Sequence, residues 1–167
     1  MKIDLTKIPS GGKEIHFSLE SDWWRSDFGD DRILGLEHPL SACLKMYPAG
    51  EKIVVDGFLS ARMLLRCDRC LETYTKDLTT DFKVYLSMFP YRGEPEVELL
   101  ESDLNLDFIA DSFLDTDQII KEQLILNLPM KSLCSNDCKG LCPLCGCNLN
   151  KATCLCHLSY EVSGNTI

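Results

Sequence analysis

Hydrophobic and polar positions alternate with a period of two through much of the first 87 residues, the signature of half-buried strands. Runs at Met1 to Ile8 and Glu14 to Glu20 flank Pro9-Ser10-Gly11-Gly12 and predict strand, turn, strand. Residues 40–47 and 51–66 are divided by Pro48-Ala49-Gly50-Glu51, and Ile53-Val54-Val55 with Phe58-Leu59 suits a strand pair. Thr73 to Leu86 resumes the pattern with Thr, Tyr, Phe and Val. Between those strands, Trp23 and Trp24 interrupt a polar stretch, and one of them is expected to pack on the sheet. The period changes near residue 115. Asp115 or Thr116 can cap a helix there, and Asp117 lies near the positive end of its dipole. Ile120, Leu124 and Leu128 fall on one side, Ile119 and Leu126 widen the apolar face, and Pro129 stops the helix. A helix at about 115–128 is therefore expected to cover the sheet.

The cysteines add a second kind of pattern. Seven of the ten lie within residues 134–156: Cys134, Cys138, Cys142, Cys145, Cys147, Cys154 and Cys156. Cys67-Asp68-Arg69-Cys70 is a separate pair between two predicted strands, which makes a strand–knuckle–strand unit. Two residues between cysteines let one tight turn aim both sulfurs at a single ion, and four such donors suit tetrahedral zinc. In Cys142-Pro143-Leu144-Cys145-Gly146, Pro143 fixes φ and Gly146 can take the positive φ that turns N–H groups toward sulfur.

Two groupings fit the spacing. In the first, Cys142, Cys145, Cys154 and Cys156 close a local site, and Cys134 with Cys138 folds back onto Cys67 and Cys70. In the second, Cys134, Cys138, Cys142 and Cys145 are local, and Cys67 and Cys70 pair with Cys154 and Cys156. The first is favoured because it leaves a short loop inside the second site, although loop-closure entropy varies slowly with length and does not decide strongly. Two zinc ions are the expected cofactors. An iron–sulfur cluster uses the same thiolates and stays a minority option. Cys147 and Cys43 are surplus, Cys43 reading as an ordinary buried thiol. His157, next to Cys156, is a reserve ligand, whereas His16 and His38 have no nearby partner in sequence. The fold class that results is α+β: a mainly antiparallel sheet, one main helix and a C-terminal zinc-knuckle segment. The expected organisation is a core over 1–130, a cysteine-rich segment over 131–160 docked to the Cys67/Cys70 hairpin, and a flexible tail over 161–167.

Charge narrows the function. The net charge is −9, and each four-thiolate zinc site carries a formal −2, so two would bring it to about −13. Such a protein is no general nucleic-acid clamp, so any RNA contact needs a local basic patch. Residues 93–120 hold nine acids and no Lys or Arg, a solvated stretch or a docking surface for a basic partner. No run of eighteen apolar residues exists, and the N-terminus shows neither a secretory nor a transit pattern. The expectation is a cytoplasmic protein with no membrane partner, in which thiols bind metal rather than form disulfides.

The stretch Leu65-Arg66-Cys67-Asp68-Arg69-Cys70-Leu71-Glu72 resembles the central motif of the YceD-like proteins, or large ribosomal RNA subunit accumulation proteins. So do Leu128-Pro129-Met130-Lys131-Ser132-Leu133-Cys134, the run Cys138-Lys139-Gly140-Leu141-Cys142-Pro143-Leu144-Cys145-Gly146, and Asn148-Leu149-Asn150 after it. Leu104-Asn105-Leu106-Asp107 followed by the Gln118 to Leu128 helix matches the family's layout, and the resemblance covers roughly residues 50–157. It implies a bacterial or organellar factor needed for accumulation or processing of 23S ribosomal RNA. It also puts Cys67, Cys70, Cys134, Cys138, Cys142, Cys145, Cys154 and Cys156 in family positions.

The resulting expectation is a non-catalytic zinc-binding factor in large-subunit biogenesis. Its partner is 23S rRNA or its precursor, a basic large-subunit ribosomal protein, or both, and no small-molecule substrate is expected. Arg62, Arg66 and Arg69 with Lys131, Lys139 and Lys151 are the candidate rRNA contacts. No general base, nucleophile or open metal position stands out in the sequence. Two rivals stay open: an acidic holder of a basic ribosomal protein without rRNA contact, and a thiol redox protein using Cys67 and Cys70.

Overall fold

Period-two alternation puts every second side chain of a strand on one face of the sheet, and that rule builds the core here. The computed structural model describes residues 1–24, 31–87, 106–109 and 112–156. Its strands are β1 (Lys2–Asp4), β2 (Lys13–Leu19), β3 (Ile33–Leu36), β4 (Leu40–Ala49), β5 (Lys52–Arg66), β6 (Thr73–Ser87), β7 (Leu106–Phe108) and β8 (Phe113–Asp115), and the helix is α1 (Thr116–Leu126). Six strands form one sheet in the order β2-β4-β5-β6-β7, with β3 paired to β5 beside the end of β4. All its pairings are antiparallel except that of β6 with β7. The fold is thus a mostly antiparallel sheet with one α-helix among the described residues.

Leu40, Ala42, Leu44 and Met46 of β4 lie beside Leu59, Ala61, Met63 and Leu65, and Ile53 and Val55, of β5 in the buried set. Leu78, Val84 and Leu86 extend this face onto β6. Trp24 is buried in the same cluster and Trp23 packs against it. The helix lies over this face through Ile119, Ile120 and Leu124, all buried. Asp115 caps it by accepting from the Asp117 N–H at 3.1 Å, and the buried Thr116 hydroxyl donates to the Met1 carbonyl at 2.9 Å.

Gly57 has a packing reason. A Cβ there would overlap the Phe82 ring, which is its cross-strand partner. Gly57→Ala is expected to cost about 1–3 kcal/mol through forced displacement of that ring. Urea unfolding should show a lower midpoint at an unchanged slope.

Four expectations change. The run Met1 to Ile8 is a strand only over Lys2–Asp4, which pairs with β8, while β2 pairs with β4. The reason is a 3-10 turn at Leu5–Lys7, capped by the Asp4 carboxylate, which redirects the chain between them. Leu126 is 73 % exposed, because six residues after Ile120 the helical rotation has carried it off the apolar face. Cys43 is half-buried rather than buried, since its odd position on β4 faces away from the core. His16, without a partner in the sequence pattern, has its Nε2 2.8 Å from the Glu14 Oε1. Most of the acidic run, His157 and the 161–167 tail lie outside the described residues. No helix among the described residues is long and apolar enough to cross a membrane.

Candidate metal centres

The fifteen-residue partners β5 and β6 end in a tip, residues 67–72, closed by the Cys67 N–H to the Glu72 carbonyl at 2.9 Å. Inside it the Leu71 N–H donates to the Cys67 carbonyl at 3.0 Å. The same bond recurs in the tail, where the Gly146 N–H donates to the Cys142 carbonyl at 2.8 Å. Both donors have left-handed backbones, Leu71 at φ 58° and Gly146 at φ 73°. The two Cys-x-x-Cys turns are therefore knuckles of one build. Leucine holds at an energetic cost the conformation glycine adopts freely.

The tail docks on the hairpin tip through backbone. The Asp68 N–H donates to the Ser132 carbonyl and the Ser132 N–H to the Asp68 carboxylate, each at 2.7 Å. The Leu141 N–H donates to the Arg69 carbonyl at 3.1 Å, and the Arg69 guanidinium donates to the Cys138 carbonyl at 2.9 Å. Gly140, at φ 76°, sits where a Cβ would come within 3.1 Å of the Arg69 carbonyl oxygen.

This docking assembles Cys67, Cys70, Cys134 and Cys138 into one quartet, and Cys142, Cys145, Cys154 and Cys156 into another, with the sulfurs of each within 4.8 Å of one another. That is the first of the two groupings the spacing allows. The sulfurs of Cys67 and Cys138 are 3.7 Å apart and those of Cys70 and Cys134 3.6 Å. In the second quartet Cys145 and Cys154 are 3.5 Å apart and Cys142 and Cys154 3.4 Å. A tetrahedron with Zn–S bonds of about 2.3 Å has edges of about 3.8 Å, and these four sulfur–sulfur distances lie within a few tenths of an ångström of that.

The thiol acidities match a cation site. Burial opposes ionisation of Cys67, but the N–H groups of Cys70, Cys134 and Arg69 outweigh it and lower the thiol to about 6. Burial and the neighbouring Cys67, Cys134 and Cys138 push Cys70 up to about 12. In the second quartet the Cys147 N–H, with surrounding thiols, brings Cys145 down to about 6. Cys154 and Cys145 push Cys156 up to about 12. A second thiol is lowered in each quartet, Cys138 because the Asn150 amide and the Gly140 N–H outweigh burial and Cys154 through the Cys156 N–H, whereas burial raises Cys134 as it does Cys70. Each quartet thus favours partial and resists full deprotonation, and a bound dication would offset the remaining cost. Cys147 stands beside Cys145, which pushes its thiol up to about 12.

Asn150 is a residue that the sequence pattern marks only as part of a motif. Its amide donates to the Cys138 sulfur at 3.3 Å while its carbonyl oxygen accepts the Lys139 N–H at 2.7 Å, bracing a quartet sulfur from outside. Only its place in the run Asn148-Leu149-Asn150 hints at it in the sequence. Asn148 ties the same loop to Glu72 at 3.2 Å.

The six candidate basic residues do not form one free face. Arg62 pairs with Glu37 at 2.7 Å, and its Nε lies 3.7 Å from Asp77. Lys151 pairs with Glu72 at 2.7 Å, and Arg69 is spent on the Cys138 carbonyl. The side chains of Arg66, Lys131 and Lys139 make no ion pair with the described residues. Lys139 and Lys151 line a groove of about 540 Å³ beside the second quartet, with Pro143 and Leu149 on its wall.

These features define a class: a β-sheet protein whose long hairpin and C-terminal tail meet through paired cysteine knuckles. The family described as "Large ribosomal RNA subunit accumulation protein YceD" matches residues 55–163, and the chain belongs to it. It is 25% identical over 129 residues to a chloroplastic YCED homolog 1 of Zea mays, covering 63% of this chain and 44% of the relative. Its counterpart in Arabidopsis thaliana is 26% identical over 149 residues, 75% and 46% of the two chains. An uncharacterized protein of Mycobacterium tuberculosis strain H37Rv is 29% identical over 103 residues, 62% and 48%. The chain spans about half the length of the curated relatives it matches. No solved structure matches it.

Proposed function

We propose that this chain is a non-catalytic scaffold that holds two zinc ions and supports processing and accumulation of 23S rRNA during large-subunit assembly. The observation that carries the reading is the pair of four-sulfur clusters, both within the family-matched residues. Cys67, Cys70, Cys134 and Cys138 hold one ion, and Cys142, Cys145, Cys154 and Cys156 the other. Four thiolates leave a zinc ion no open position for water, so the metal acts by shaping the tail rather than by chemistry. Cys67 and Cys70 are nearly inaccessible, at 0% and 4% exposure, which denies a disulfide substrate the approach that a redox role needs.

Direct RNA contact falls to the basic residues without an ion-pair partner among the described residues, Arg66, Lys131 and Lys139, with Arg62, Arg69 and Lys151 framing them. The rival reading, capture of a basic ribosomal protein, draws on the ion-paired Arg62 and Lys151 and on the net charge of −9. Lys131→Ala combined with Lys139→Ala separates the two. Direct contact predicts weaker binding to large-subunit precursor RNA and a log–log salt slope smaller by about 1 for each phosphate left unneutralised. An unchanged slope, with co-purification of a ribosomal protein that survives nuclease, would establish the holder.

A further inference from the structure

The first 54 residues lie outside the family match, and on them the sheet assembles a third group of metal-type donors. Antiparallel pairing of β2 with β4 sets His16 directly opposite Cys43. Glu14, two residues before His16, is on the same outer face. The Cys43 sulfur is 3.8 Å from His16 Nε2 and 3.7 Å from Glu14 Oε1, and those two atoms are 2.8 Å apart. Three chemically different ligands thus converge from two strands, away from the core.

We propose that Glu14, His16 and Cys43 form a third zinc site, open at one corner, on the outer face of the sheet. Zinc bonds of about 2.0–2.1 Å to N and O and 2.3 Å to S give tetrahedral edges of about 3.3–3.6 Å. The two sulfur edges are within a few tenths of that. The short His16–Glu14 edge is a hydrogen bond that widens when an ion takes the place of its proton. One thiolate, one carboxylate and a neutral imidazole balance the +2 charge, whereas each cysteine quartet leaves −2. The site differs from the quartets in a second way: three protein ligands leave room for water or an anion, the arrangement of an open rather than a structural zinc. A groove of about 560 Å³ begins at Glu14 and Cys43 and runs past Lys45, Phe58 and Phe82, which gives that fourth ligand space. Burial and the nearby Glu14 carboxylate raise the Cys43 thiol, so the metal-free side chain is a poor nucleophile, and a reactive-cysteine role fits the trio less well than ligation.

The test is the reactivity of Cys43 in the full chain, read peptide by peptide so that the quartet cysteines do not enter. Purified protein is alkylated with iodoacetamide, with and without zinc added beyond two equivalents. Cys43 labelling should slow at least about tenfold with added zinc. Both His16→Ala and Glu14→Gln, exposed positions that leave the core alone, should restore the metal-free rate. Labelling indifferent to zinc, or protection that survives His16→Ala, overturns the site and leaves a hydrogen-bonded surface trio. Because Cys43 is followed on its own peptide, the result stands whether or not the two quartets prove to be loaded.

Discussion

Cys138→Ser is expected to lower the bound zinc count by one and to destabilise the protein by about 4 kcal/mol or more, among the largest effects a single residue can have. Cys138 is 3% exposed, lies 3.7 Å from the Cys67 sulfur and takes the Asn150 amide, so serine there leaves a buried, weakly ligating oxygen among thiols. Cys154→Ser should also cost one ion but lower stability less. The first quartet joins residues 71 and 64 apart in sequence, whereas the second joins residues 12 and 9 apart. Closing the longer loop removes more unfolded-chain entropy, a difference of about 1.5 kcal/mol from the logarithmic length dependence. Native mass spectrometry gives the ion count, and thermal unfolding with and without a chelator gives the rest. Equal melting of the two variants would mean that the first quartet does not tie the tail to the hairpin. An ion count unchanged from the unsubstituted protein in Cys138→Ser would remove that cysteine from the ligand set.

Leu124→Ala is the counterpart on the other side of the molecule. Leu124 is fully buried between α1 and the sheet, in the cluster with Met63, Leu65 and Leu78. Removing its branched end is expected to cost about 2–5 kcal/mol, the sum of lost transfer energy and the cavity left behind. The ion count should not change, because the variant touches no knuckle. A metal-dependent and a metal-independent route to lower stability would then be separable in one pair of variants, by whether added zinc restores the melting temperature. Loss of zinc from Leu124→Ala would show that the helix and the knuckles fold as one cooperative unit.

The local features were legible in the order of residues because they depend on neighbours along the chain. Alternation marked β4, β5 and β6, spacing of two marked both knuckles, and the Asp115 cap with Pro129 bounded α1 to within a few residues. Spacing also narrowed the sulfur groupings to two and favoured the first, though loop entropy varies too slowly with length to decide firmly. Docking chose, through bonds such as Asp68 to Ser132 that join positions 64 apart. What pairs with β1, which arginines and lysines are already neutralised, and that His16 meets Cys43 are likewise matters of register and approach. A strand's alternation says which face a residue occupies and nothing about which strand lies beside it, so the sequence determined the donors, while tertiary pairing alone decided their company.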